Sequence, residues 1–261
     1  MIRIHGLTKD FPLSGKKADS RTDMRTENGK TFYRAVDGLT LHIEKGEIFG
    51  LLGANGAGKT TTLRLLATML RPTAGSAEIA GFDIVGQSES VRKSIGILFG
   101  GDTGLYDRLT ARENIAYFGR LYDMTEEQIA ARTEELCEIF DLTRYIDARC
   151  GTFSRGMKQK TAFARSIIHS PQVMLFDEPT AGLDISAALE VQHFISACKQ
   201  EGKTVILSSH NMTEVERLCD RIGIIDHGKL LTCGTQQQLL QTHGCSDLEQ
   251  VFMMLTEEAK K

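Results

Sequence analysis

Short apolar runs alternate along the chain with longer stretches of helical spacing, a pattern that predicts an α/β fold with a largely parallel sheet. Residues 39–43 (LTLHI) alternate apolar and polar as a strand, and Lys45-Gly46-Glu47 then turns into the apolar run IFGLL at 48–52. Residues 59–70 follow with helical spacing. Further apolar runs lie at 173–176, between Pro171 and Pro179, at 205–207 after Gly202, and at 222–225. Strands apolar at nearly every position belong in a sheet covered on both faces.

A helix-rich block, residues 102–170, separates the two groups of strands. Thr125 and Gln128 form a capping box in sequence, and Ile129, Leu136, Ile139 and Phe140 give the helix behind it an apolar stripe. The block reads as an inserted helical subdomain within a single 1–261 domain, leaving 1–101 and 171–261 as the core. Residues 13–31 (LSGKKADSRTDMRTENGKT) are almost free of large apolar groups and read as an exposed, mobile polar insertion between two N-terminal strands.

Composition narrows the class only modestly. A net charge of −3 gives no reason to expect a nucleic-acid partner. The six cysteines show no CxxC pair and no metal-ligand rhythm, which predicts reduced thiols rather than a disulfide framework. The start MIRIHGLTKDF carries charges where a signal peptide needs an apolar stretch. No apolar run approaches the roughly 20 residues of a membrane helix, so the chain is expected not to span a membrane.

The chemistry begins at GANGAGKTT, comprising Gly53, Ala54, Asn55, Gly56, Ala57, Gly58, Lys59, Thr60 and Thr61, which matches G-x-x-x-x-G-K-[ST] between a strand and a helix. Such a loop turns its N–H groups toward phosphates and adds the dipole of a helix N-terminus. Lys59 is placed for the β- and γ-phosphates of ATP and Thr60 for Mg²⁺. In VMLFDEP, a buried strand runs into Asp177 and Glu178, two carboxylates that are costly there unless a cation or a reaction uses them. Asp177 fits a Mg²⁺ ligand, direct or through water, and Glu178 a general base on an attacking water.

Three further segments follow in order: TFSRGMKQKTAFARSII with Ser154 at a helix cap, AGLD ending at Asp184, and ILSSH ending at His210. Singly, Ser154 reads as an N-cap and His210 as a strand-end histidine. As an ordered set over nearly the whole chain, these motifs resemble the nucleotide-binding domain of ABC transporters. The resemblance implies a P-loop NTPase core with a largely parallel sheet, an N-terminal antiparallel β subdomain and the inserted helical subdomain. It makes 53–61 the Walker A loop, the run through Glu178 Walker B with its catalytic glutamate, and Asp184 the D-loop aspartate. It makes His210 the histidine that senses the γ-phosphate. Ser154, Arg155, Gly156 and Met157 then form the signature segment, degenerate here as FSRGM, which serves in trans the ATP of a second ATP-binding subunit in a head-to-tail dimer.

Two places depart from the family pattern. Gly100 or Gly101 stands where the family has a glutamine, with Asp102 as the nearest substitute acceptor. The aromatic residue that stacks on adenine is open among Phe11, Phe32 and Tyr33, with Phe32 or Tyr33 favoured by nearness to Gly53. LFGG, GLYDRLTARENI and the ending SDLEQVFMMLT are similar to NatA-type exporter ATPases, whose name is associated with sodium. That likeness implies ATPase activity powering export of sodium or a drug-like cargo by a separate integral membrane permease. It also implies a peripheral place on the cytoplasmic face of the cell membrane and contact with the permease through Leu105 and Tyr106. The rival reading is a soluble ABC ATPase of translation or DNA repair, which usually carries two cassettes or a long coiled-coil insertion; this chain has neither.

Overall fold

The computed structural model describes residues 1–13, 24–27, 30–99 and 104–258. Five strands form an antiparallel sheet in the order β2-β3-β1-β5-β6: β1 (Ile2–Pro12), β2 (Met24–Glu27), β3 (Lys30–Ile43), β5 (Ala74–Ile79) and β6 (Phe82–Asp83). Six more, β4 (Ile48–Leu52), β7 (Ile95–Phe99), β8 (Val173–Asp177), β9 (Thr204–Ser209), β10 (Arg221–Asp226) and β11 (Lys229–Gly234), make the second sheet. Its order is β11-β10-β4-β9-β8-β7, and every pairing is parallel except β10 with β11.

Alternation along these strands divides the core in two. Phe49 and Leu51 of β4, with Val173 and Leu175 of β8, face Ile2, Ile4, Leu39 and Ile43 of the antiparallel sheet and Leu63 and Leu66 of α1 (Lys59–Leu66). Ile48 and Leu52, with Met174 and Phe176, face the other way, toward the helices. Those helices are α3 (Ala111–Leu121), α4 (Glu126–Phe140), α5 (Arg155–Ser166), α6 (Ile185–Gln200) and α7 (Met212–Leu218), after the short α2 (Ser88–Ser94). Phe140, Phe163, Phe176 and Phe194 meet there, with ring centroids 4.8–6.5 Å apart. Helices α8 (Gln236–His243) and α9 (Leu248–Glu258) close the chain, packing Leu239, Leu248 and Val251 into the same cluster.

Three local expectations need correction. The helix at 59–70 stops at Leu66, because Thr68 turns left-handed (φ 60°) and Met69 N–H bonds back to the Arg64 carbonyl at 2.9 Å. Ile139 is exposed: it lies about 100° around α4 from Phe140, off the buried stripe of Ile129, Leu136 and Phe140. The polar insertion 13–31 contains a strand, since β2 pairs with β3 from Met24↔Tyr33 to Glu27↔Lys30. The sequence signal for it was Asn28-Gly29 between those last partners, the strongest short hairpin dipeptide. Residues 14–23 and 28–29 of the expected mobile stretch lie outside the described residues, as do Gly100, Gly101 and Asp102. The capping box expected at Thr125 and Gln128 is present at the start of α4, and Thr110 with Glu113 forms a second one at the start of α3.

Among the described residues no helix is long and apolar enough to cross a membrane.

Candidate functional site

The strand order sets where the chemistry collects. The loop after β4, the Asp177-Glu178 end of β8 and the Ser208-Ser209-His210 end of β9 leave neighbouring parallel strands at their C-terminal edge. The loop itself needs glycine at two points. A Cβ on Gly53 would lie 2.4 Å from the Ile225 carbonyl oxygen, and one on Gly58 (φ 105°) would lie 2.4 Å from that of Ala35.

Lys59 is 5% exposed, and its ammonium is satisfied by donating to the carbonyls of Gly53 (2.5 Å) and Ala54 (3.2 Å). It also lies 3.4 Å from Glu178 Oε1. The other Glu178 oxygen is 2.6 Å from His210 Nδ1, so one carboxylate bridges the lysine and the histidine. Next to it, Thr60 Oγ1 donates to Asp177 Oδ2 at 2.7 Å. A cleft of about 140 Å³ is lined by Tyr33, Ala54, Asn55, Gly56, Gly58, Lys59, Thr60, Thr61 and Glu178. Gly53 and Ala57 lie behind that lining, with Ala57 buried.

Glu178 holds a left-handed backbone (φ 50°), which is strained for a side chain of this kind. Its N–H donates to both the carbonyl and the Oγ of Ser208, each at 3.1 Å. Ser208 is fully buried and in turn donates from Oγ to Asp177 Oδ1 at 2.5 Å. Ser208 thus fixes both carboxylate-bearing residues. The reading of the sequence passed over it, although two serines ending an apolar strand are a signal, because buried hydroxyls require partners.

The aromatic candidates separate. Successive strand residues point to opposite faces, and of the two on β3 it is Tyr33 that lines the cleft, its OH 3.4 Å from the Gly56 carbonyl. Phe32 is not part of the lining; Phe11 pairs across β1–β3 with Tyr33 and carries Lys9 over its ring at 5.2 Å.

Ser154, Arg155, Gly156, Met157 and Asp184 stand apart from the cleft. Ser154 caps α5 by accepting from Met157 N–H at 3.3 Å, and Asp184 caps α6 by accepting from Ala187 N–H at 2.9 Å. Arg155 donates to the Ala181 carbonyl (2.9 Å) and Gln159 to that of Pro179 (3.0 Å), tying the start of α5 to the loop that follows Glu178. Of the expected surface anchors, Leu105 is half-buried against the helical core, while Tyr106 is 49% exposed and meets Tyr117 edge-on at 5.4 Å. Tyr117 and Leu121 extend the same exposed apolar face.

A sequence profile described as ABC transporter matches residues 36–181. The chain is 47% identical over 229 residues to the ABC transporter ATP-binding protein NatA of Bacillus subtilis (strain 168), covering 88% of this chain and 93% of that one. It is 40% identical over 215 residues to the Nod factor export ATP-binding protein I of Rhizobium sp. (strain N33), covering 82% and 70%. A solved structure of the ATP-binding subunit of an ABC transporter superposes with a TM-score of 0.82 at 25% identity, over 98% of this chain and 99% of that one.

Proposed function

The chain belongs to the ABC transporter family, and from that premise we propose that its cleft hydrolyses ATP through Lys59, Glu178 and His210 to drive export by a separate membrane permease. The chain is an ATP-binding, ATP-hydrolysing transporter subunit. The observation that carries the site assignment is the Glu178 carboxylate bridging Lys59 Nζ at 3.4 Å and His210 Nδ1 at 2.6 Å beside the P-loop. Charged groups this tightly clustered at the end of a sheet are poised for a polyanion.

In the proposed reaction the γ-phosphate of ATP enters between Lys59 and Glu178 and takes over the lysine from the Gly53 and Ala54 carbonyls. The 53–61 backbone N–H groups and the start of α1 hold the phosphate oxygens. The freed Glu178 carboxylate removes a proton from the attacking water as its oxygen bonds to the γ-phosphorus. The bond from that phosphorus to the bridging oxygen breaks, releasing ADP and phosphate. His210, held against Glu178, keeps that carboxylate aimed at the γ-phosphate. Thr60 and Asp177 present hard oxygen donors 2.7 Å apart at the same edge, a pair that fits Mg²⁺, a cation normally held by one or two protein oxygens plus substrate and water. When bound, Mg²⁺ neutralises charge on the β- and γ-oxygens. Tyr33 is assigned to the adenine face because it, and not Phe32, lines the cleft.

Ser154, Arg155, Gly156, Met157 and Asp184, standing away from their own cleft, are assigned to a partner's ATP in a head-to-tail pair, an isologous one if the two chains are identical. Residues 102–170 form the helical subdomain of this reading, and the exposed face of Tyr106, Tyr117 and Leu121 on it meets the permease at the cytoplasmic face of the membrane. The permease selects the cargo. Relatives that are transporter subunits favour this reading over a soluble role in translation or DNA repair.

The test is Mg-ATP turnover by wild type, Glu178→Gln and Lys59→Ala. Glu178→Gln is expected to retain ATP binding and to turn over about 10²–10⁴ times more slowly, and Lys59→Ala to lose affinity for the nucleotide. Wild-type turnover in Glu178→Gln would remove Glu178 as the base.

A further inference from the structure

One buried carboxylate outside the cleft joins the two segments that carry the catalytic pair. Glu214, in the first turn of α7, is 3% exposed. Its Oε1 accepts from Thr180 Oγ1 at 2.6 Å and its Oε2 from Ser209 Oγ at 2.6 Å. Thr180 stands two residues after Glu178, and Ser209 immediately precedes His210. Glu214 is fixed from its own side as well: its N–H donates to Asn211 Oδ1 at 3.2 Å, and Asn211 N–H donates to Ser209 Oγ at 3.0 Å. A carboxylate is buried so deeply only when its oxygens are hydrogen-bonded, and here both are spent across the two strand ends rather than within its own helix.

We propose that Glu214 is a positioning residue for hydrolysis: by clamping Thr180 and Ser209 it holds the ends of β8 and β9 together so that His210 meets Glu178. This rests on the assignment of Glu178 and His210 above. The spacing of that pair is not set by the ladder alone, because pairing of β8 with β9 ends at Asp177↔Ser208, and both Glu178 and His210 lie beyond it. Past that point Glu178 has its N–H bonds to Ser208, and the clamp closes the other side. The loop held by Thr180 is the one to which Arg155 and Gln159 of α5 also bond. A shift of α5 therefore reaches His210 through Glu214 as well as through the backbone.

A role confined to folding lowers the melting temperature and leaves kcat of the folded protein intact; a positioning role lowers kcat. Glu214 does not line the cleft, so the KM for ATP stays within about twofold while kcat of Glu214→Ala falls about tenfold, the rate equivalent of one lost hydrogen bond. Glu214→Gln recovers much of this, because a serine or threonine hydroxyl can reverse and accept from the amide. In a His210→Ala background, measured in single turnover, Glu214→Ala adds less than twofold, since the side chain it positions is gone. If Glu214→Ala does not fold, Thr180→Val combined with Ser209→Ala removes the same two bonds and must show the same drop in kcat. An equal drop with and without His210, or an unchanged kcat in the folded variants, overturns the clamp. Glu178→Gln run alongside separates the failures: an active Glu178→Gln defeats the assignment of the base, whereas an inactive one with wild-type kcat in Glu214→Ala defeats the clamp alone.

Discussion

Ser208→Ala tests how the Walker B carboxylate is held. The Ser208 hydroxyl donates to Asp177 Oδ1 at 2.5 Å and accepts from Glu178 N–H, which keeps a second acceptor in the Ser208 carbonyl at 3.1 Å. The substitution therefore orphans one group, a carboxylate oxygen on a residue only 5% exposed. A hydrogen bond to a charged group contributes about 1.5–3 kcal/mol, and most of that is forfeited when the partner stays buried. With unfolding entropy near 2.1 cal/mol/K per residue, 261 residues give about 0.55 kcal/mol per kelvin, so the melting temperature should fall by about 3–5 °C. Asp177 then keeps Thr60 as its remaining hydroxyl donor and turns more freely. Loss of an outer partner of this sort costs about 10–100-fold in metal affinity or activity, so half-maximal ATPase should require at least tenfold more Mg²⁺. Thermal melting and an Mg²⁺ titration of turnover measure both. A melting point within 1 °C of wild type together with an unchanged Mg²⁺ requirement would refute the reasoning.

Three further outcomes follow from the geometry. Ser154→Arg should leave ATP binding by dilute single chains intact and abolish turnover by the assembled pair; equal loss in both would assign Ser154 to its own chain's site. Tyr106→Ser with Leu121→Ser, both on the exposed face of the helical block, should leave basal ATPase unchanged and remove stimulation by the permease, and retained stimulation excludes that face as the contact. Burial holds the His169 imidazole down at about 4, below its usual value near 6.5. As pH falls from 6.5 toward 4 the unfolded chain takes up the proton first, and stability is lost by up to about 1.4 kcal/mol per pH unit. His169→Phe can keep the stack on Tyr122 (3.5 Å between centroids), so its stability relative to wild type should rise as pH drops through that window; a constant difference would show that His169 does not carry the loss.

The strands of the parallel sheet were legible because burial on both faces writes them as unbroken apolar runs. Residues 48–52 are the observed β4, and 173–176, 205–207 and 222–225 each sit inside the observed strand with one to three polar residues added at the ends. Of those polar ends, Asp177 was read from its chemistry, while Ser208-Ser209 and Asp226 escaped a rule that follows hydrophobicity; Asp177 and Ser208 carry site chemistry. Helix ends failed for a different reason. Thr68 terminates α1 by its backbone angle, which no apolar count registers, and Met69, counted into the helix, is 60% exposed beyond it. Ile139 shows the limit of counting apolar residues without their angle, since its neighbour Phe140 is buried and Ile139 is not.

For the site, legibility tracks distance along the chain. Lys59 and Thr60 belong to one contiguous motif whose local backbone does the work, so they could be assigned from sequence directly. Glu178 and His210 are far apart in sequence, and their meeting depends on β8 and β9 being neighbours in the order β4-β9-β8, a fact that motifs suggest only through family resemblance. Glu214 lies one step further out: its partners Thr180 and Ser209 become adjacent to it only after that strand order exists and α7 has folded back over the end of β9. A buried glutamate in a seven-residue helix looks, in sequence, like any first-turn acid favoured by the helix dipole. What distinguishes it is that its side chain is turned inward to two hydroxyls from different segments, Ser209 at the end of β9 and Thr180 in the loop after β8. Residues that do chemistry on the phosphate sit in motifs because the phosphate dictates their spacing. Residues that hold those motifs against each other answer to the topology, and for that reason they surface only when hydrogen bonds are traced through the folded chain.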